Sequence, residues 1–330
     1  MSTMFGVTLR DDAYEARIRD RLDEIERSLA DVIDADEPFI AEAATHLLRA
    51  GGKRFRPLLV LLAAEFGDPS AREIVPAALV VELTHLATLY HDDVMDEAAL
   101  RRGAESANAR WDNSVAILTG DYLFARASHV VADLGPEAVR IQSDTFSRLV
   151  QGQIRETTGP RPGDDPLAHY LSVVSDKTGA LIATSARFGA MMAGAPQSVQ
   201  QALTDFGERI GSAFQLSDDI IDVASESDDS GKTPGTDLRE GVSTLPTLIA
   251  RASREPQDAR LRELLSGPIG NDGDHAEALG LLRAHSALDE AREFVRACAD
   301  EARALLSDLP AGIARDGLES LCDTVVTRIS

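Results

Sequence analysis

The segment from Val75 to Tyr90 constrains the fold more than any other, because it is apolar around its whole circumference. Only Glu82 and His85 are strongly polar within it. A helix without a polar face lies at the centre of a bundle, buried by neighbours on every side. The segment runs directly into HDDVMDE at 91–97. Its four carboxylates oppose the helix dipole, so cations are needed there to offset the electrostatic cost.

The rest of the chain also favours helices. Apolar residues recur at spacings of three and four, and Ala, Leu, Glu and Arg are frequent. Neither an alternating strand pattern nor a glycine-rich phosphate loop is present. Since no change in composition divides the chain, we expect one all-α domain over residues 1–330. Helices are predicted at 12–33, 38–50, 57–66, 72–96, 113–133, 136–157, 167–193, 197–223, 244–254, 257–266, 274–307 and 311–328.

Charge and cysteine content exclude several classes of protein. A formal net charge of −22 over 330 residues argues against a nucleic-acid partner and against binding to anionic membranes. Two cysteines, Cys298 and Cys322, are too few for a disulfide framework, which favours a reducing cytoplasm. The N-terminus does not show a signal-peptide pattern. Apolar runs such as Leu58–Ala64 are far shorter than the ~20 residues that span a bilayer, so membrane insertion is not expected.

Two short acidic motifs carry the first chemical signal. DDVMD at 92–96 and DDIID at 218–222 each close an apolar helix. Residues four apart share a helix face, which pairs Asp92 with Asp96 and Asp218 with Asp222. Mg²⁺ prefers oxygen ligands and is usually bound by one or two carboxylates together with substrate phosphates. The alternative, that acidic runs are solvated helix ends, explains one such motif better than two.

Basic residues gather at a few places in this acidic chain. GGKRFRP at 51–57 is a compact cationic turn, and Arg101-Arg102-Gly103 follows the first acidic motif closely. Lys177-Thr178-Gly179 interrupts a helical pattern, and Lys232 lies in a long polar stretch. His85 lies about 20° from the direction of Asp92 on the same helix. Singly these are surface charges or helix-end partners; together with carboxylates for Mg²⁺ they indicate a site for a diphosphate.

In this order the motifs resemble those of the trans-type polyprenyl diphosphate synthases. The resemblance covers residues 51–248 and continues more weakly to 328. One motif alone has little specificity, whereas the ordered set is highly specific. The matching segments are GGKRFRP (51–57), 85–96, RRG (101–103), GDYL (120–123), GQ (152–153), KTG (177–179), FQ (214–215), DDIID (218–222), GKTPGTDL (231–238) and TLP (244–246).

The resemblance implies an all-α isoprenoid-synthase bundle with a central apolar cavity, commonly a homodimer. It implies Mg²⁺-dependent joining of an allylic diphosphate primer to isopentenyl diphosphate, with Mn²⁺ as a substitute metal. The implied metal ligands are Asp92, Asp96 and Asp218, with Asp219 and Asp222 close by. The implied isopentenyl diphosphate site consists of Lys53, Arg56, His85 and Arg102. The implied contacts to the allylic diphosphate and reacting centre are Arg101, Lys177, Thr178, Gln215 and Lys232.

Two positions depart from the family pattern. Many relatives have a lysine just before the Thr-Leu-Pro motif, where this chain has Val242. One cation near the allylic diphosphate is therefore missing or supplied from elsewhere. Many relatives have aspartate three residues after the Gly-Gln pair, where this chain has Glu156. That exchange keeps the charge.

Other functions fit the motifs less well. A class I terpene cyclase usually replaces the second acidic motif and lacks the paired cations of the isopentenyl diphosphate site. A non-catalytic regulatory subunit typically loses one acidic motif, and both are present here. A helical interaction scaffold needs neither motif. Elongation of a prenyl chain is therefore the favoured reaction.

Product length is predicted from the helix that ends at Asp92. The side chains of Val81, Thr84, Ala87 and Thr88 are small, so this helix does not close a tail channel with an aromatic floor. The eleven residues from Val81 to Asp92 span ~16 Å, more than a fifteen-carbon tail requires. We therefore expect at least a geranylgeranyl product, and favour hexaprenyl to nonaprenyl. In the alternative, these residues only permit close helix packing, and Phe146, Met191 or another wall residue forms the floor.

Overall fold

The computed structural model of the chain describes residues 3–4, 7–9, 11–225 and 234–329. Sixteen α-helices occupy most of these residues. They are α1 (Asp12–Ile33), α2 (Pro38–Arg49), α3 (Phe55–Ala64), α4 (Ile74–Met95), α5 (Ala107–Arg110), α6 (Asn113–Asp133), α7 (Pro136–Thr158), α8 (Pro166–Val174), α9 (Ala180–Met192), α10 (Gln197–Ala224), α11 (Thr236–Glu240), α12 (Leu245–Ala252), α13 (Ala259–Leu264), α14 (Asp272–Ala284), α15 (Ser286–Leu305) and α16 (Ile313–Arg328).

Strand structure within the described residues is limited to two antiparallel pairs. The first joins β1 (Thr3–Met4) to β2 (Val7–Thr8), and the second joins β3 (Leu100–Arg101) to β4 (Ala104–Glu105). A π-helical turn at Ser175–Gly179 connects α8 to α9, and a 3₁₀ turn at Pro256–Asp258 precedes α13. The predicted all-α class is confirmed.

The chain forms two compact units. The first comprises residues 1–147, 181–207 and 308–318, and the second comprises 148–180, 208–307 and 319–330. The first acidic motif and the cationic turn belong to the first unit, whereas the second acidic motif and the Lys-Thr-Gly segment belong to the second. A single domain over 1–330 stays a prediction.

Helix α4 is the centre of the first unit, as its apolar circumference predicts. It packs against α6, α3 and α1, and residues on all its faces are buried. Length and hydropathy alone would let this helix cross a bilayer, which the short apolar runs did not suggest. However, 72% of its apolar window is buried inside the protein, as in the core helix of a globular domain.

Side-chain caps explain why two predicted helix starts are right and why one predicted helix is wrong. Helices 12–33 and 113–133 begin where predicted because Asp11 and Asp112 accept the amides of Tyr14 and Val115, each at 2.8 Å. The predicted single helix 274–307 is wrong. His285 has extended backbone torsions and its Nδ1 accepts the amide of Ala287 at 2.9 Å, which ends α14 and begins α15 without any glycine or proline.

Gly189 allows α9 to cross α3 closely, and its replacement tests this packing. A Cβ there would lie 2.1 Å from the carbonyl oxygen of Val60. We expect Gly189→Ala to lower the free energy of unfolding by about 1–3 kcal/mol, a typical cost of overpacking. In Gly280→Ala on the exposed face of α14, the new Cβ meets nothing within 4 Å. This control is expected to gain up to about 1 kcal/mol. Urea unfolding measures both, and a Gly189→Ala variant as stable as the wild type would contradict the packing.

Candidate active site

The first acidic motif lies at the C-terminal end of α4. Asp96 caps the helix, and its amide donates to the carbonyl of Asp92 at 2.8 Å. Asp93 between them is fully buried and accepts from Arg101 Nε at 2.5 Å. Burial raises the pKa of Asp93, and Arg101 counteracts this rise. Arg101 Nη2 also lies 3.8 Å from Asp96 Oδ2. Arg101 therefore supplies positive charge that the helix end requires.

Arg101 and Arg102 are adjacent in a tight hairpin but contact different partners. Arg102 and Gly103 connect β3 to β4 with positive φ angles of 54° and 76°. Positive φ at both central residues is what a type I′ turn requires. Arg101 reaches Asp93, whereas Arg102 Nη1 donates to the carbonyls of Gly51 and, at 3.0 Å, Leu47. The hairpin thus links the acidic motif to the cationic turn.

Arg54 holds the cationic turn in place. Its φ is 47°, and its guanidinium is 8% exposed. Nε and Nη2 donate to the two carboxylate oxygens of Glu26 at 2.5 and 2.8 Å, and Nη1 lies 3.3 Å from Glu82 Oε1. A Cβ on Gly52 would lie 2.4 Å from Arg54 Nη1 and 2.8 Å from Arg102 Nη1. A side chain at position 52 would therefore displace the two guanidiniums from the positions they occupy here.

Arg56 and His85 complete a cluster with an excess of positive charge. Burial lowers the pKa of Arg56 to about 10; Glu82 opposes this effect and Arg102 adds to it. Arg56 Nε is buried with no hydrogen-bond partner among the described residues. Burial and the nearby Arg56 and Arg102 hold the pKa of His85 well below its usual range, so its imidazole is neutral at pH 7. A buried donor without an acceptor is costly unless an anion binds there. Lys53, the fourth predicted member, is exposed.

The second acidic motif lies in the last turns of α10, and its three aspartates differ in environment. Asp219 is buried and accepts from the hydroxyl of Tyr170 and, at 3.2 Å, from Gln215 Nε2. Burial raises the pKa of Asp219 to about 7, although both hydrogen bonds counteract the rise. Asp222 accepts the amides of Thr236 and Asp237 at 3.2 and 3.3 Å, which caps α11.

Asp218 is accessible to solvent, unlike the buried Asp219. Its side chain is 44% exposed and pairs with Arg328 at the end of α16. Asp219 and Asp222 are held by donors inside the packed unit, so Asp218 is the aspartate of this motif best suited to bind a ligand from solvent.

The predicted interruption at Lys177-Thr178-Gly179 is a π-helical turn. Such turns occur often at functional sites. Lys177 Nζ pairs with Glu156, the residue that departs from the family pattern, and Thr178 Oγ1 donates to Gln215 Oε1 at 3.2 Å. Together with the contact from Gln215 to Asp219, this joins the π-turn to the second acidic motif.

Two glycines and an ion-pair network fix the π-turn. A Cβ on Gly152 would lie 3.0 Å from Asp176 Cβ, and one on Gly179 would lie 3.2 Å from the carbonyl oxygen of Glu208. Arg148 donates to Asp176 at 2.7 Å and to both oxygens of Glu208 at 2.6 and 3.1 Å. The Gly-Gln and Lys-Thr-Gly motifs are therefore partly requirements for close packing.

The predicted chain-length residues lie on a largely buried face of α4. Val81, Thr84 and Ala87 are buried, and Thr88 is half-buried. Thr84 Oγ1 accepts from Gln142 Nε2 on α7 at 2.5 Å and donates to the carbonyl of Val80. Phe146, the alternative floor, stacks on Phe124 with ring centroids 3.9 Å apart.

Most predicted site residues fall into two local groups. Arg56, His85 and Arg102 come together in the first unit, near Arg101 and the first acidic motif. Lys177, Thr178 and Gln215 come together with Asp218, Asp219 and Asp222 in the second unit. Lys232 lies outside the described residues. The roles of Arg54, Tyr170, Arg148 and Arg328 were not predicted from the sequence. The lone Glu82 in an apolar helix could have indicated a buried cationic partner such as Arg54.

The carboxylates suit a hard divalent cation that brings its own phosphate ligands. Within the described ranges, no three His, Cys, Asp or Glu side chains lie close enough together to hold a metal ion. Asp92 and Asp96 offer instead a pair one helical turn apart, and Asp218 offers a single accessible carboxylate. Mg²⁺ commonly takes one or two such groups, with water and substrate phosphate completing its octahedron. Guanidiniums already lie near Asp96 and Asp218, so both carboxylates attract cations.

Comparison with known proteins gives a consistent result. The family model described as polyprenyl synthetase matches residues 37–282. A nonaprenyl diphosphate synthase of Mycobacterium tuberculosis is 49% identical over 324 residues, which are 98% of this chain and 97% of that protein. A dimethylallyltranstransferase of the same organism is 41% identical over 323 residues, 98% of each chain.

A solved structure extends the similarity to three dimensions. The geranylgeranyl pyrophosphate synthase of Corynebacterium glutamicum, crystallised with calcium and isoprenyl diphosphate, superimposes with a TM-score of 0.89 and 46% identity. The match covers 98% of this chain and 99% of that one, and it confirms the predicted isoprenoid-synthase fold. The chain therefore belongs to the polyprenyl synthetase family and is a prenyltransferase of isoprenoid biosynthesis.

Proposed function

We propose that the chain condenses an allylic diphosphate with isopentenyl diphosphate in an Mg²⁺-dependent reaction to give a trans-polyprenyl diphosphate. The observation that carries the proposal is the half-buried cluster of Arg56, Arg102 and neutral His85. Its excess positive charge suits a diphosphate, as does the buried Nε of Arg56, which has no hydrogen-bond partner among the described residues. Lys53 is the exposed fourth member of this isopentenyl diphosphate site.

The allylic diphosphate is assigned to the second unit. Lys177, Thr178 and Gln215 are linked by the π-turn and its hydrogen bonds, which suits them to hold a leaving group in a fixed orientation. Arg101 and Lys232 are further proposed contacts. The proposed Mg²⁺ ligands are Asp92 and Asp96 in the first unit and Asp218 in the second, with Asp219 and Asp222 beside Asp218 in the sequence. Mg²⁺ would stabilise the negative charge that develops on the departing diphosphate.

The protein's own contribution is positioning, charge and exclusion of water. The allylic carbocation forms as the diphosphate departs, the double bond of isopentenyl diphosphate attacks it, and the diphosphate accepts the proton that is lost. Val81, Thr84, Ala87 and Thr88 are proposed to line the path of the growing tail. Their small size supports a hexaprenyl to nonaprenyl product, as does the similarity to a nonaprenyl diphosphate synthase.

We also propose a cytoplasmic homodimer. Phe39 and Ile40 on α2 and Ile117 and Leu118 on α6 are large apolar side chains between 39% and 66% exposed, and the two helices are in contact. Such a patch suits a second copy of the chain. Neither Cys298 nor Cys322 forms a disulfide, which agrees with a reducing compartment.

Loss of a metal ligand tests the metal requirement. We expect Asp92→Ala and Asp218→Ala each to lower turnover at least about 100-fold, because the departing diphosphate loses several kcal/mol of charge stabilisation. The helical circular dichroism spectrum should be retained. Asp144→Ala, which removes an exposed carboxylate of α7, serves as the control and should keep full turnover. Full wild-type turnover in excess EDTA would rule out the metal requirement.

Arg56 tests the assignment of the two diphosphates. Arg56→Ala removes a charge-assisted hydrogen bond and should raise the KM for isopentenyl diphosphate about tenfold or more, with a smaller effect on the primer. Arg56→Lys should recover part of the loss because it keeps the charge. Arg110→Ala, at an exposed arginine paired with Glu42, is the control. Equal rises in KM for both substrates would remove the assignment.

Bulky residues on α4 test the tail path. Ala87→Phe and Thr88→Phe, made separately, should shorten the products, because an aromatic ring blocks the path one or two turns from Asp92. Leu281→Phe on an exposed face of α14 should leave product length unchanged. Chromatography of the dephosphorylated products measures the result. Unchanged product lengths in both α4 variants would contradict the proposed path.

A further inference from the structure

The last residue of α16 reaches across to the second acidic motif. Arg328 Nη2 donates to Asp218 Oδ1, and Nη1 donates to Ser217 Oγ at 3.2 Å. The centre of the guanidinium lies 4.4 Å above the ring of Phe214. Three contacts of different kinds therefore hold one side chain on α10.

The three contacts form a cradle along one face of α10. Ser217 and Asp218 follow Phe214 by three and four positions, so the side chains of both are neighbours of Phe214 on the helix surface. Ser217 Oγ donates its own proton to the carbonyl of Phe214 at 2.7 Å, which leaves its lone pairs for Arg328. The cradle is thus oriented to accept a guanidinium.

The pair of Arg328 and Asp218 is accessible to solvent. The two side chains are 27% and 44% exposed, and a pair of that kind is weak enough to exchange. Asp219 and Asp222 differ, because their donors belong to Tyr170, Gln215 and the backbone of α11. Asp218 is held by a long side chain from a distant part of the sequence.

We infer that Arg328 is an internal counter-ion that must leave Asp218 before a divalent cation binds there. Arg328 thereby sets the metal affinity of the second acidic motif while substrate is absent. This inference rests on the proposed function, since it takes Asp218 to be a metal ligand. A guanidinium and a metal ion compete for the negative charge of the same carboxylate, so every contact that holds Arg328 in its cradle weakens metal binding.

Binding of Mn²⁺ to the purified full chain without diphosphate tests the inference, with electron paramagnetic resonance of free Mn²⁺ as the readout. Arg328→Gln should bind Mn²⁺ about threefold to tenfold more tightly than the wild type, since an ion pair and a cation–π contact no longer oppose the metal. Arg328→Lys keeps the charge but loses the planar fork, and should fall between the two. Phe214→Leu removes only the stacking contact and should tighten binding slightly.

Arg260→Gln is the matched control. Arg260 lies on α13 and pairs with Glu277 on α14 at 2.8 Å. Neither helix carries Arg328 or the acidic motif, so its loss should leave Mn²⁺ affinity unchanged. Asp218→Asn tests the assignment of Asp218 as a metal ligand separately from the counter-ion role of Arg328. Weaker Mn²⁺ binding in Asp218→Asn with no gain in Arg328→Gln overturns the counter-ion role alone. Unchanged Mn²⁺ binding in Asp218→Asn, both alone and with inorganic diphosphate present, overturns the metal assignment and the counter-ion role together.

Discussion

The burial of Glu82 beside three arginines is the interaction on which the first unit's site depends. Glu82 is 2% exposed on the central helix α4 and lies 3.3 Å from Arg54. It also attracts Arg56 and Arg102, whose mutual repulsion it offsets. Glu26 adds one further negative charge through Arg54. Without Glu82, three guanidiniums so close together, one buried and two half-buried, would be strongly unfavourable. With it, the cluster keeps a single positive charge in excess, available to an anion.

In the second unit, hydrogen bonds hold the polar groups of the candidate site in position. The π-turn, Gln215 and Asp219 form a connected chain of donors and acceptors that ends at Tyr170. Both partners of each contact lie on helical segments, so these hydrogen bonds position the polar groups in the absence of a ligand. Rigid placement of polar groups is what electrostatic catalysis requires. Lys177 lies in the same π-turn. Its Nζ pairs with Glu156, whose side chain is longer than the aspartate that many relatives have at this position.

Local sequence signals predicted much of the fold. Helices capped by Asp11 and Asp112 begin at the expected residues because a cap acts within three positions. The break at His285 was missed because histidine is an uncommon cap without a proline or glycine beside it. The site was predictable as a set of residue types, but not as individual roles. Whether Asp222 faces solvent or caps α11 depends on where residues 236 and 237 fold back. The contact of Arg328 with Asp218 joins residues 110 positions apart.

Product analysis tests the central claim most directly. The purified chain would be incubated with Mg²⁺, labelled isopentenyl diphosphate and, separately, geranyl, farnesyl or geranylgeranyl diphosphate, and the dephosphorylated products separated by chromatography. If the protein elongates prenyl chains as proposed, each accepted primer is extended to linear trans products of hexaprenyl to nonaprenyl length. Cyclised terpenes, absence of elongation from any primer, or products that stop at farnesyl diphosphate would contradict this proposal.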